Sequence, residues 1–163
     1  WEDIYFNDQP GVSLSQDGTP GGFKVFKFQG TSLSWIYKSY YDTTAMSNFT
    51  DQARVFNFQT EGTITLQNSG TQDKCIAMNV WDWDPFWKVE WYDNGTWKDM
   101  TRFTSGAYDP MAVVAFSNWS ETIKPASNYH MFYCVPSTHR TSFRYRLTNG
   151  FNQVEDKTVT FAN

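Results

Sequence analysis

At 163 residues the chain suits one domain, or one domain with a small appendage, and is long enough to bury a core without staples. Apolar residues make up 40% of it and charged residues 18%, which excludes wholesale disorder; a formal net charge of −4 argues against the basic face a nucleic-acid binder needs. Aromatic residues reach 19%, with 8 Trp, 9 Tyr and 14 Phe, so β structure is expected before any periodicity is read.

Residues 1–22 read as irregular, because Pro10, Gly11, Gly18, Pro20, Gly21 and Gly22 break any period. The chain opens on Trp1 without an initiator methionine or a basic-then-apolar leader, so it is expected to be a fragment or a processed form. Alternation over 23–29 and 31–39, split by Gly30, predicts a hairpin. The Ser/Thr/Asp-rich stretch 40–52 reads as a loop and 54–58 as a short strand.

Further on the pattern is regular. Strands are expected at 63–67, with Ile64 and Leu66 on one face, and at 74–80. In 87–93 Trp87, Val89 and Trp91 share one face and Lys88, Glu90 and Tyr92 the other. Asn94-Gly95 supplies the φ > 0 pair of a type I′ turn leading into 96–103. The stretch 111–116 fits a helical turn and a strand equally. Strands follow at 129–135, at 142–148 with Phe143, Tyr145 and Leu147 facing inward, and at 158–161 after an Asn149-Gly150 turn. Short, evenly spaced strands without an amphipathic helix predict an all-β fold: an immunoglobulin/fibronectin-like β-sandwich over 59–163, preceded by a hairpin/linker region at 23–58 and a tail at 1–22. No apolar stretch approaches 18 residues, so no helical membrane span is expected.

Cys75 and Cys134 allow one bridge or none, and Trp91 between them fits the inter-sheet pattern of antibody domains. Alternation, however, turns Ile76, Met78 and Val80 inward and Cys75 outward, which favours free thiols. The two histidines, His130 and His139, read as a strand-edge and a loop residue, with no His-x-His and no Cys-x-x-Cys. Neither a nucleophile elbow nor a phosphate-cradling loop is present; the run 17–22 looks like one but lacks the lysine and following helix. No catalytic, cofactor or metal residue is assigned. The densest feature is Trp81-Asp82-Trp83-Asp84-Pro85-Phe86-Trp87. Its rings and carboxylates fit a ligand platform built on Trp81, Asp82, Trp83, Asp84 and Trp87; the commoner role of tryptophan as a core filler favours a loop whose indoles anchor it to the core.

Several strings, taken in order, carry a resemblance. They are Asp17-Gly18-Thr19-Pro20 with Gly22-Phe23, Ser34-Trp35-Ile36-Tyr37-Lys38, Asn79-Val80-Trp81-Asp82 and Trp87-Lys88-Val89-Glu90. Met100-Thr101-Arg102, Tyr108-Asp109-Pro110-Met111, His130-Met131-Phe132-Tyr133 and Arg146-Leu147-Thr148 complete the set. Together they resemble the C-terminal part of bacterial calcineurin-like phosphoesterases over nearly the whole chain. The resemblance implies a non-catalytic accessory domain whose partner is an N-terminal catalytic domain of the same, exported bacterial protein. A divalent metal pair would sit in that catalytic domain, on D-x-H, G-D-x-x-D and G-N-H-[DE] motifs that do not occur here. Ile4, Tyr5 and Phe6, left without that domain, would favour self-association through the tail. A binding-module reading uses Trp81, Trp83 and Trp87 as a carbohydrate shelf. A fragment that turns over substrate itself would need a convergent acid, base or nucleophile set that the sequence does not display. Exposure of the three indoles separates the accessory and module readings.

Overall fold

A computed structural model describes residues 2–4, 12–59, 63–65, 71–117 and 124–161. Strand β1 (Glu2–Ile4) pairs antiparallel with β2 (Val12–Leu14), and β3 (Gly22–Gln29) forms a full-length hairpin with β4 (Ser32–Ser39). After a loop come β5 (Ala53–Asn57), the short pair β6 (Thr63–Thr65) and β7 (Thr71–Asp73), and β8 (Ile76–Val80). Strands β9 (Lys88–Asp93), β10 (Thr96–Asp99) and β11 (Thr101–Arg102) lead to helix α1 (Pro110–Ser117). The chain ends with β12 (Met131–Cys134), β13 (Ser142–Thr148) and β14 (Val154–Thr160). Among the described residues no helix is long and apolar enough to cross a membrane.

Two four-stranded antiparallel sheets, ordered β10-β9-β13-β14 and β11-β12-β8-β5, make the sandwich. Its core takes Val89, Trp91, Phe143, Tyr145 and Leu147 from one sheet and Ile76, Met78, Val80, Phe132 and Cys134 from the other. Period-2 alternation in β9 and β13 therefore has the expected register. Asn94 and Gly95 adopt φ of 48° and 85°, as the type I′ turn between β9 and β10 requires. Strand β5, expected within the hairpin/linker region, pairs along its whole length with β8.

Several local readings change: β1 and β2 lie in the stretch 1–22 that reads as irregular, and β14 begins at Val154 where a strand was expected only from 158. The stretch 96–103 is not one strand: the chain leaves the first sheet at buried Met100 and pairs with β12 in the second. The ambiguous stretch 111–116 is helical, packing Ala112, Ala115 and Phe116 on Leu14. Cys75 does not point to solvent. A second apolar cluster of Phe58, Cys75, Ala77, Phe103, Ala107 and Met131 covers the far side of β8, so that strand is buried on both faces. The two thiols are free and belong to separate clusters. Burial pushes the Cys75 thiol up to about 11 and Cys134 well above its usual range, so neither is a ready nucleophile at neutral pH. Leu66 and Gln67, expected in a strand, and Tyr5 and Phe6 lie outside the described residues.

The loop 40–52 is tied down by polar bonds. Glu155 of β14 accepts from the Asp51 and Gln52 amides, both at 2.9 Å, and from the Tyr145 hydroxyl at 3.1 Å. Lys38, buried at the end of β4, pairs with Asp42 and donates to Thr44 at 2.9 Å. Burial alone would raise the Asp42 carboxyl, but bonds from Lys38, Thr44 and Thr50 outweigh it and hold it at about 2. A depressed folded-state carboxyl contributes stability above the unfolded value of about 3.9 and loses it as pH falls through the folded value. The stability gap between wild type and Asp42→Asn should thus be widest near about pH 5 and close toward about pH 2 in thermal melts. A gap that does not change with pH would show that Asp42 is not held in this way.

Candidate functional site

The tryptophan-rich loop between β8 and β9 is built into the wall of the sandwich. Trp81 is buried; its amide donates to the Gln52 carbonyl at 2.8 Å, and the Arg54 guanidinium lies 5.8 Å from its ring centroid. Trp83 is half-buried, edge-on to Phe132 at 5.5 Å and faced by Arg102 at 4.7 Å. Trp87 is half-buried and edge-on to Phe49 at 5.3 Å. Asp82 pairs with Lys24 of β3 at 2.6 Å. Asp84 accepts from the Phe86 amide at 2.8 Å, closing an Asx turn that leaves the Phe86 ring 84% exposed. The three indoles hold the loop and do not stand open as a shelf.

A second constellation gathers residues far apart in sequence. Asp17 sits in the turn between β2 and β3. Its carboxylate accepts from the Ser15 hydroxyl and from the Thr19 amide at 2.9 Å, and lies 3.4 Å from His130 Nε2. Its carbonyl accepts from Asn79 Nδ2 at 3.1 Å and from Asn128 Nδ2 at 2.9 Å. Asn79 Nδ2 also donates to Asp109 at 2.7 Å, which turns Asn79 Oδ1 toward His130 Nδ1 at 2.6 Å. An amide oxygen only accepts, so His130 Nδ1 is the donor of this bond, and Nε2 is left facing the Asp17 carboxylate. Burial would raise the Asp17 carboxyl, but bonds from His130, Ser15 and the Thr19 amide outweigh it and hold it well below the usual range.

Asp109 is fully buried and caps α1, accepting from the Met111 amide at 2.8 Å and the Ala112 amide at 3.0 Å, with Pro110 as the first helical residue. Burial pushes its carboxyl up, against Arg54 at 4.0 Å, Asn79 and the two amides. The Tyr37 hydroxyl donates to the Pro20 carbonyl, and the Tyr40 amide to Gly21 at 2.9 Å. Residues 14–22, part of the stretch that reads as irregular, are therefore clasped to the sandwich: Leu14, Gly18, Pro20 and Gly21 are buried. Asp17, Lys24, Tyr37, Asp82 and His130 line an open hollow of about 400 Å³ beside the clasp. Among the described residues no three His, Cys, Asp or Glu side chains gather in a way that could hold a metal ion. His130 was legible only as a strand-edge residue, since nothing local links it to Asp17. The N-cap did have a signal, Asp109-Pro110 before an apolar run.

The third feature is apolar and open. Trp35 of β4 is flanked by Phe26 at 6.3 Å and, edge-on, by Phe151 of the β13–β14 loop at 4.6 Å. On one side Phe26, Phe28, Trp35 and Met46 line a hollow of about 480 Å³. On the other Trp35, Phe86 and Phe151 line one of about 690 Å³. Phe28 is 76% exposed, and Phe26 and Leu33 are exposed as well.

A family profile described as the C terminal of calcineurin-like phosphoesterase matches residues 4–160. The chain belongs to this family. Searches among curated proteins and among solved structures find no match. Family membership implies an N-terminal catalytic domain as partner. Strings that carry the family resemblance also meet in space: Asp17-Gly18, Asn79, Asp109-Pro110 and His130 are the parts of the clasp.

Proposed function

We propose that this chain is the non-catalytic accessory domain of a metal-dependent phosphoester hydrolase, packed against the catalytic domain that precedes it. The observation that carries the reading is the clasp. Asp17, Asp109 and His130, the residues that could have served as acid or base, spend their bonds on holding segment 14–22 against β8 and α1. A domain joined ahead of that segment is thereby held close to the sandwich. The divalent pair of the family would supply an activated water in the catalytic domain; the described residues of this chain do not gather a donor set for it. A carbohydrate module would need Trp81, Trp83 and Trp87 open to solvent; the burial of Trp81 and the packing of Trp83 and Trp87 on the core favour the accessory role.

The strand order supports an immunoglobulin-like assignment. With the separate β6–β7 pair left out and the rest lettered A, B, C, C′, D, E, F and G from β5, the sheets read A-B-E-D and C′-C-F-G, with Trp91 buried on strand C. The cysteines lie on or beside strands B and E, which accounts for the missing inter-sheet bridge. The purified chain, supplied with Mn²⁺, Fe²⁺ or Zn²⁺ and an aryl phosphate, should show only background hydrolysis. Metal-dependent turnover above background would overturn the accessory reading.

A further inference from the structure

We propose that the aromatic surface centred on Trp35 is the seat of the catalytic domain, an inference that rests on the accessory reading above. The surface joins three separate elements: Phe26, Phe28 and Leu33 from the hairpin, Phe86 from the β8–β9 loop and Phe151 from the β13–β14 loop. Aromatic side chains present about 150–250 Å² each, so the exposed parts of these rings amount to roughly 500 Å² of apolar surface. That is at the upper end of what a monomer leaves open, and such patches usually mark an interaction site.

The exposure is not general to the sandwich. On the sheet β10-β9-β13-β14, Trp97 is covered by Arg146 at 4.3 Å and Arg144 at 5.2 Å, and Arg144 forks onto Asp156. Aromatic residues there are capped by charge; on the Trp35 surface Lys24 lies 5.6 Å from the indole centroid, but Phe28 and Phe86 are left bare. The β3–β4 hairpin is also a ribbon of two strands, a unit that is marginal alone in water. Ile36 at its base reaches the sandwich core, but its tip bearing Phe28 does not.

The occupant follows from the course of the chain. Segment 14–22 runs directly into β3 and is bonded to the end of β4 through Tyr37–Pro20 and Tyr40–Gly21. The clasp at Asp17 fixes it from the other side. A catalytic domain joined ahead of this segment is tethered at the base of the hairpin. A tether anchored there raises the effective concentration of that domain at the rings, so that a modest apolar match gains in strength. The partner surface is accordingly an apolar one that accepts the Phe28 and Phe86 rings, with Trp35 between them.

Hydroxyl-radical footprinting, read by mass spectrometry, compares the full-length parent enzyme with the isolated chain. Modification of Phe28 and Phe86 should fall roughly fivefold or more in the parent, as expected where a partner excludes water. Modification of exposed Tyr129 should not change. In a parent carrying Phe28→Ser and Phe151→Ser, Phe86 should regain most of its labelling. Equal labelling of Phe28 and Phe86 in both proteins would overturn the proposal. So would protection of the same rings in the isolated chain with a dimer in sedimentation, which would make a second copy the occupant. Either failure leaves the accessory reading standing, because that reading is lost only through turnover by the isolated chain.

Discussion

Truncating Trp91 to Ala should destabilise the sandwich by about 3–5 kcal/mol. The residue sits mid-strand in β9, 6% exposed, with Tyr145 of β13 directly opposite and Phe143 stacked on its ring at 6.3 Å. Lys98 closes the remaining side, its ammonium 5.7 Å from the ring centroid. The strands on either side are fixed by their ladders, so the walls of the vacated space cannot close without breaking register. The loss is then the transfer free energy of the indole plus the cavity it leaves. Trp97, one strand away in β10, is the internal control. Its ring lies among Tyr92, Arg144 and Arg146 on the outer face, and Trp97→Ala should cost only about 1 kcal/mol. Urea titrations of the two variants measure both values. A loss under about 1 kcal/mol for Trp91→Ala would mean that its ring is not part of the core.

The same pair of strands shows what could be read from the residues and what could not. Val89, Trp91, Phe143, Tyr145 and Leu147 announce their face because one side of each strand meets core and the other meets water. Where both sides are covered, alternation stops carrying information, and Cys75 was turned the wrong way for that reason. Glu90 was expected in water, yet it is buried beneath Arg146, which donates to it at 2.9 and 2.8 Å from the neighbouring strand. A charged residue can be buried when its partner comes across the sheet, and a single strand's pattern does not record that partner. The clasp was hidden more deeply. Asp17 lies in a turn, Asn79 and His130 on and beside paired strands and Asp109 at a helix start; only the β8–β12 pairing brings them together. The family strings pointed at the right residues without giving a reason for them. The reason is a set of donors and acceptors that close on one another.

Gly18 is where that closure is tightest, and Gly18→Ala is expected to detach the segment it belongs to. Its φ of +82° lies in the left-handed region, where a side chain costs about 1–3 kcal/mol. A methyl group there would also overlap the carboxyl group of Asp109. Asp109 has no room to yield: it is fully buried and holds Asn79 and the first turn of α1 through bonds of 2.7 to 3.0 Å. Overpacking of this kind adds about 1–3 kcal/mol, so the total penalty is about 2–6 kcal/mol. The turn can instead leave by giving up the Asn79 and Asn128 bonds to the Asp17 carbonyl, the Ala126 bond to the Gln16 carbonyl, the Arg54 bond to the Gly18 carbonyl and the His130 contact. The sandwich core takes no residue from 14–22 and should remain folded. Limited proteolysis separates the outcomes. The wild-type chain should resist cleavage between residues 14 and 22, whereas Gly18→Ala should be cut there first and leave a folded remainder. Equal resistance in both proteins would show that the turn absorbs the methyl group and that the Asp17 clasp is looser than its bond lengths indicate.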